Sequence, residues 1–260
     1  MADPSLPCEL PSRVGWKTRF RLFGATLLER LPSDCPLCRN GARGGALCGG
    51  CHHDVVHAMQ SGVPRCAVCR LALGPRDHCP DCTVRAPAFD AVAAAFDYAG
   101  LGELLVRQFK AQRRFGHARF LARMLADETV ARWGVLPGNT ILVPVPASRS
   151  SIVKRGFNPA AELARFLAPR LGLRHCPELL VRRLDGKRQT HLQRRQRLDN
   201  ASGLYACTRP LGGACVAVVD DVMTTGSTLD GIASQLKEAG AAQVVGLVLA
   251  RTPYRSQADG

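Results

Sequence analysis

Two stretches of the 260-residue chain hold residues whose types and spacing could do chemistry. In the first, eight of the 12 cysteines form four C-x-x-C pairs: Cys35/Cys38, Cys48/Cys51, Cys66/Cys69 and Cys79/Cys82. Nine residues separate the first pair from the second and the third from the fourth, so one unit occurs twice. A C-x-x-C turn points two thiolates at one ion, and two such turns complete the tetrahedral, all-sulfur shell that Zn2+ accepts. Four thiolates leave no open coordination position, so two structural Zn2+ sites are expected, paired sequentially along the chain. Interleaved ligands, an iron–sulfur cluster and thiol redox chemistry are the alternatives that the spacing leaves. Loops rich in glycine and proline between the pairs suit zinc ribbons, which are stabilised by metal rather than by a core. His52, His53, His57 and His78 read as solvated side chains, and Cys8, Cys176, Cys207 and Cys215 as reduced thiols.

In the second stretch an apolar run, Val216-Ala-Val-Val, ends in Asp220 and Asp221 and passes into the turn Thr224-Thr225-Gly226-Ser227-Thr228. Read as a strand of a parallel sheet, the run ends at the carboxyl edge, where ligands bind. Backbone N–H groups of residues 224–228 can converge on a phosphate, Gly226 lets the chain fold closely around it, and the following helix N-terminus favours an anion. Adjacent carboxylates suit paired ribose hydroxyls or an Mg2+ ion bridging to them, so a sugar phosphate satisfies both halves of the motif. Helix capping by Asp221 or Thr224 accounts for one oxygen and leaves the rest of the motif without a purpose. A mononucleotide P-loop is excluded, because no Gly-Lys-Ser/Thr closes the turn.

These residues need elements to hold them. From about residue 88 apolar runs alternate with helical patterns, which predicts an α/β fold: a mainly parallel sheet flanked by helices, preceded by a small double zinc-ribbon region. Strands are expected near 91–97, 140–144, 178–182, 214–220 and 243–249. Helices are expected around Leu121, Met124 and Leu125, around Leu163, Leu167 and Leu171, and around Leu229, Ile232 and Leu236. The expected organisation is an amphipathic helix and tail over 1–32, the ribbons over 33–86, the α/β domain over 87–254 and a flexible tail over 255–260. The stripe Phe20, Phe23, Leu27, Leu28, Leu31 reads as a packing face, with attachment to the inner membrane face as the alternative. No signal peptide and no transmembrane run are found, so a cytoplasmic protein is expected.

The chain carries 35 Lys and Arg against 21 Asp and Glu, a formal +14. Residues 101–200 hold 20 basic and seven acidic side chains, so the middle of the chain is its electrostatic site and anionic partners are expected. Residues 182–197 contain seven Lys and Arg, with Arg194, Arg195 and Arg197 as candidates for nucleic-acid phosphates. A second cluster, Lys110 to Phe120, interleaves charge with rings that could stack on bases or equally belong to the core.

Taken together, these segments resemble a known family. The Val218-Val-Asp-Asp-Val-Met-Thr-Thr-Gly-Ser-Thr228 segment is similar to the loop of type I phosphoribosyltransferases that binds 5-phosphoribosyl 1-diphosphate (PRPP). With Val143-Pro-Val-Pro146, Lys154-Arg-Gly-Phe-Asn158, Gln189-Thr-His-Leu192, Arg197, Asn200 and the cysteine repeat, the chain from about 33 to 252 resembles the ComF family. That family pairs a zinc ribbon with a type I phosphoribosyltransferase-like domain and is associated with competence. His191 departs from the small residue more usual there. The resemblance implies that Asp220 and Asp221, the catalytic candidates, hold the ribose hydroxyls and Mg2+, and that Thr224, Thr225, Gly226, Ser227 and Thr228 take the 5-phosphate. It implies that Ser148, Arg149, Lys154 and Arg155 receive pyrophosphate and that Lys110 matches a lysine kept near the sheet. The implied activity is phosphoribosyl transfer from Mg-PRPP to an unknown acceptor, in the service of DNA uptake or use during natural transformation. The implied partners are single-stranded DNA and a helicase-like uptake ATPase. A non-catalytic PRPP-sensing adaptor that binds single-stranded DNA or that ATPase is the alternative.

Overall fold

The computed structural model describes residues 30–74, 78–111, 115–183 and 203–254. The N-terminal amphipathic stripe before residue 30, the run 184–202 and the tail 255–260 lie outside the described residues.

The repeat in the cysteines is also a repeat in the backbone. Strands β1 (Pro32–Asp34) and β2 (Gly41–Arg43) form an antiparallel hairpin around Cys35/Cys38, with Asp34 opposite Gly41. One repeat later Arg65 bridges Ala72 in the same way around Cys66/Cys69. In both units the residue after the second cysteine, Arg39 or Arg70, has positive φ (66° and 61°), and its N–H reaches the carbonyl of the first cysteine at 3.0 Å. That turn brings both sulfurs of a pair to one side. After the second pair the units diverge. In the first, helix α1 (Gly49–Gln60) starts at Cys48 and buries Val55, Val56 and Met59, which sequence reading did not foresee because Gly49-Gly50 opens it.

Five strands form one fully parallel sheet: β3 (Ala91–Asp97), β4 (Ile141–Pro144), β5 (Arg174–His175), β8 (Cys215–Met223) and β9 (Gln243–Arg251), in spatial order β3-β9-β8-β4-β5. A parallel sheet buried on both faces needs continuous rather than alternating apolar strands, and Val216–Val219 and Val244–Ala250 supply them. The strand expected over 178–182 is a correction. Pro177, which lacks an N–H, opens a 3-10 turn (Pro177–Leu179), and β6 (Leu180–Arg182) pairs antiparallel with β7 (Tyr205–Cys207) in a separate two-stranded sheet. The fifth strand of the main sheet is β5.

The helices between the strands are α2 (Gly100–Ala111), α3 (Phe115–Trp133), α4 (Arg149–Arg155), α5 (Pro159–Leu171) and α6 (Ser227–Glu238). Leu121 and Leu125 of α3 and Leu163 and Leu167 of α5 are fully buried. Leu229 of α6 lies so close to Gly246 of β9 that a Cβ there would meet its Cδ2 at 2.5 Å. From β4 the chain moves to the outer strand β5, and from β8 it moves the other way to β9. The carboxyl ends of β4 and β8, side by side with Val145 N–H on Val219 O at 2.9 Å, are therefore the topological switch point, where α/β sheets open a crevice for ligands. No helix among the described residues is long and apolar enough to cross a membrane.

Candidate functional site

The eight paired cysteines assemble into two clusters, Cys35/Cys38/Cys48/Cys51 and Cys66/Cys69/Cys79/Cys82, with the ligand atoms of each within 4.8 Å of one another. Pairing is sequential, not interleaved. A tetrahedral Zn2+ with Zn–S bonds of about 2.3 Å sets sulfurs about 3.8 Å apart. Cys38 and Cys48 stand 3.5 Å apart, Cys69 and Cys79 3.5 Å, and Cys66 and Cys82 3.8 Å, so each cluster fits one such ion. The thiol chemistry agrees. Burial opposes ionisation of Cys35, but the N–H groups of Cys38, Cys48 and Leu37 outweigh it and bring the thiol down to about 6. Burial and the neighbouring sulfurs push Cys51 and Cys82 up. Four thiolates repel one another until a divalent cation neutralises them. Of the other cysteines, Cys207 and Cys215 are free. Cys8 lies outside the described residues. Cys176 is fully buried, with its Sγ 4.0 Å from Arg209 Nη2.

The second stretch lies at the switch point. β8 carries Asp220 and Asp221 to its carboxyl end, where Asp220 Oδ1 accepts the N–H of Asp221 at 2.8 Å. Successive strand residues point to opposite sides. Asp221 pairs with Lys110 Nζ of α2 at 3.0 Å, whereas Asp220 acts on Tyr205, whose hydroxyl is 3.4 Å from Arg182. Burial, and then the Asp221 carboxylate, raise Asp220 to about 7, against the opposing pull of the Asp221 N–H and Lys110. In the turn that follows, Gly226 sits at φ 81°, and a Cβ there would meet Met223 Cε at 2.6 Å. Thr225 and Ser227 share a hydroxyl hydrogen bond of 3.1 Å. Gly226, the N-cap of α6, offers no side chain, and the first N–H of the helix, that of Ser227, donates to Thr225 Oγ1 at 3.4 Å.

Ser148, Arg149, Lys154 and Arg155 follow β4 at the same sheet edge. Ser148 caps α4 through the N–H of Ser151 at 3.1 Å, and that helix buries none of its side chains. Arg149 and Lys154 are exposed and Arg155 is half-buried. The chain thus brings Lys110, the two acids, the turn and the 148–155 segment to one end of the sheet. Arg194, Arg195 and Arg197 lie outside the described residues, as do Gln189, His191 and Asn200. Phe109 and Phe120, weighed as stacking rings, are 0% and 4% exposed and belong to the core.

Sequence reading missed Arg251 at the end of β9, which is 1% exposed. Its guanidinium joins the second cysteine cluster to the turn. Nε donates to Cys69 O at 3.0 Å, and Nη2 lies 3.8 Å from Cys69 Sγ and 3.3 Å from Asp81 Oδ2. Nη1 donates to the carbonyls of Thr224, of Thr252 at 2.9 Å and of Met223 at 3.4 Å. The only signal was a charge closing an apolar strand. Beside it, a cavity of about 300 Å3 opens between the second cluster and the turn, with Asp81, Arg85, Phe89, Thr225, Ser227 and Tyr254 in its wall.

No protein-family model matches the chain. Among curated proteins it is similar to the DNA utilization protein YhgH of Salmonella typhi, at 33% identity over 227 residues, 85% of this chain and 98% of that protein. It is similar to Competence protein F of Haemophilus influenzae, at 31% identity over 226 residues, 84% of this chain and 96% of that protein. Two solved structures give weaker likenesses. One, titled as the allosteric regulatory enzyme of purine biosynthesis, is 19% identical over 55% of this chain and 30% of its own, with a TM-score of 0.37. The other, a Thermus thermophilus protein designated TT1426, is 15% identical over 54% of this chain and 85% of its own, with a TM-score of 0.32. Both superpositions are too loose to identify a fold. The relatives, matched almost end to end and sharing about a third of their residues, do identify a lineage: this chain belongs to the ComF family of competence and DNA utilization proteins.

Proposed function

We infer that the protein binds Mg-PRPP at the carboxyl edge of its sheet and uses it in a cytoplasmic step of DNA uptake or DNA use. The observation that carries this reading is the strand β8, which delivers two carboxylates and a glycine-pivoted hydroxyl turn to the switch point. Asp220 and Asp221 hold the ribose hydroxyls, and residues 224–228 cradle the 5-phosphate. Ser148, Arg149, Lys154 and Arg155 meet the pyrophosphate. A bound Mg2+ supplies the charge neutralisation that makes pyrophosphate a competent leaving group. Phosphoribosyl transfer forms a bond from a nitrogen nucleophile to the ribose C1 and breaks the bond from C1 to pyrophosphate. Preorganised charge serves that cation-like transition state better than a protein nucleophile does. Asp221 faces the proton or the positive charge once Lys110 yields it. Zn2+ in both clusters is structural. Equilibrium binding of PRPP with and without Mg2+ tests the reading. Binding should need the metal and be displaced by ribose 5-phosphate, and metal-independent binding that ribose 5-phosphate leaves untouched would refute it.

A second reading, a non-catalytic adaptor for single-stranded DNA or for an uptake ATPase, is favoured by a groove of about 470 Å3 between the first ribbon and α3. Among the described residues Arg43 and Arg123 line it and no acid does, and the smaller cleft beside it adds Arg119. Phosphodiester contacts there predict DNA binding that weakens steeply with salt. Arg43→Glu with Arg123→Glu should abolish it, and unchanged binding would remove this face from consideration.

A further inference from the structure

The second cysteine cluster and the phosphate turn are far apart in sequence and share one buried side chain. Arg251 emerges from the apolar interior of the sheet, where an uncompensated guanidinium would cost several kcal/mol. Its compensation comes from both sides. Toward the cluster lie the Cys69 carbonyl and sulfur and the Asp81 carboxylate; toward the turn lie the carbonyls of Met223, Thr224 and Thr252. The guanidinium is a rigid planar fork, so fixing one side fixes the other.

The consequence for the turn follows from peptide geometry. In a trans peptide the C=O and the following N–H point in opposite directions across one plane. Drawing the carbonyls of Met223 and Thr224 to Arg251 therefore turns the N–H groups of Thr224 and Thr225 away from it. A cation on a carbonyl also polarises that peptide and strengthens its N–H as a donor. The first cluster has no such link among the described residues: its neighbours are β1, β2, α1 and the Arg123 groove.

We propose that Arg251 is a positioning residue that couples the second cysteine cluster, and not the first, to the phosphate turn, so that an intact second cluster sets the turn in its anion-binding form. The ligand half of this proposal rests on the reading of the turn as the PRPP 5-phosphate site; the coupling half does not. Coupling between two sites is reciprocal, with typical strengths of about 5- to 150-fold. Saturating Mg-PRPP therefore slows loss of one Zn2+ to a chelator and leaves the other unaffected.

The test has two readouts on the full chain: hydrogen exchange of the amides of residues 224–228, and Mg-PRPP affinity with zinc content measured on every sample. Arg251→Lys, which keeps the charge and loses the fork, should retain both zinc ions, speed exchange at the turn and weaken Mg-PRPP by about tenfold. Cys79→Ser with Cys82→Ser should reproduce that effect on the turn, and Cys35→Ser with Cys38→Ser should not. Unaltered turn exchange in both Arg251→Lys and the second-cluster variant overturns the coupling, as does equal disturbance of the turn by either cluster. If the cysteine variants fail to fold, the release of Zn2+ from a wild type that binds Mg-PRPP decides: ligand-slowed release of a single ion supports the coupling, and release of both ions at ligand-independent rates despite bound Mg-PRPP overturns it. A wild type that ignores Mg-PRPP while its turn exchange still answers to Arg251→Lys refutes the PRPP reading and leaves the coupling standing.

Discussion

The two carboxylates that end β8 are neighbours in sequence but face different surroundings. Asp221 has Lys110 at 3.0 Å, whereas Asp220 is raised to about 7 by burial and by Asp221. A carboxyl that must be ionised to hold Mg2+ and ribose releases its proton as the ligand binds. Mg-PRPP affinity is therefore expected to rise between about pH 6 and pH 8 and to level off above, as a calorimetric pH series would show. For stability the sign is reversed. The folded state holds this proton more tightly than the unfolded state, so the contribution is complete below the usual carboxylate range and is lost as pH rises through about 7. Asp220→Asn should accordingly melt above the wild type at neutral pH, by roughly 1–2 kcal/mol after solvent screening, with the gap closing in acid. Gly226, at φ 81° and crowded by Met223, gives a sharper case: Gly226→Ala should cost roughly 1–3 kcal/mol in chemical denaturation and leave the zinc content intact. The acids, the glycine and the cysteines were legible because each chemistry is local to a few consecutive residues. Lys110 was legible only through family resemblance, and Arg251 was not seen, because its partners come from residues 69, 81, 223 and 224 and meet it only in the fold.

At the scale of elements, the second ribbon is fastened to the sheet by charge. Arg65, one residue before Cys66, holds Asp97 at the end of β3 with two hydrogen bonds, 2.9 and 2.7 Å, and their side chains are 3% and 12% exposed. Arg70 meets Glu128 of α3 at 3.5 Å, and Arg132 donates to the carbonyl of Ala67. Truncating one partner of a buried bidentate pair leaves the other charge stranded. Asp97→Ala is thus expected to destabilise the protein by about 3 kcal/mol in a denaturant titration, and Arg65→Ala with Asp97→Ala by less than the sum of the two. Strong apolar strands such as β8 and β9 were readable from sequence, since a doubly buried strand admits nothing else. The 178–182 run was misplaced because three apolar residues look alike in a main-sheet strand and in a side hairpin, and the two differ only in which partner arrives. Helix α1 was hidden by the glycines that open it.

Over the whole molecule, the ribbons are walls of the site as much as stabilisers. Cys69 and Cys82 of the second cluster and the turn line one cavity, and Cys48 of the first cluster borders the Arg43 and Arg123 groove. The α/β class and the two-cluster organisation could be read from the order of motifs, whereas the docking of each ribbon depends on pairs far apart in sequence, such as Arg65 with Asp97. The relatives show membership of the competence and DNA utilization family, and the proposed PRPP chemistry rests on the geometry at the end of β8. The most direct measurement is a calorimetric titration of Mg-PRPP into the wild type and into Asp220→Asn/Asp221→Asn, with zinc content and folding checked on both. The account predicts saturable, roughly one-to-one binding in the wild type that disappears in a variant still folded and fully loaded with zinc. Equal binding by both proteins, or none by the zinc-loaded wild type, would contradict it.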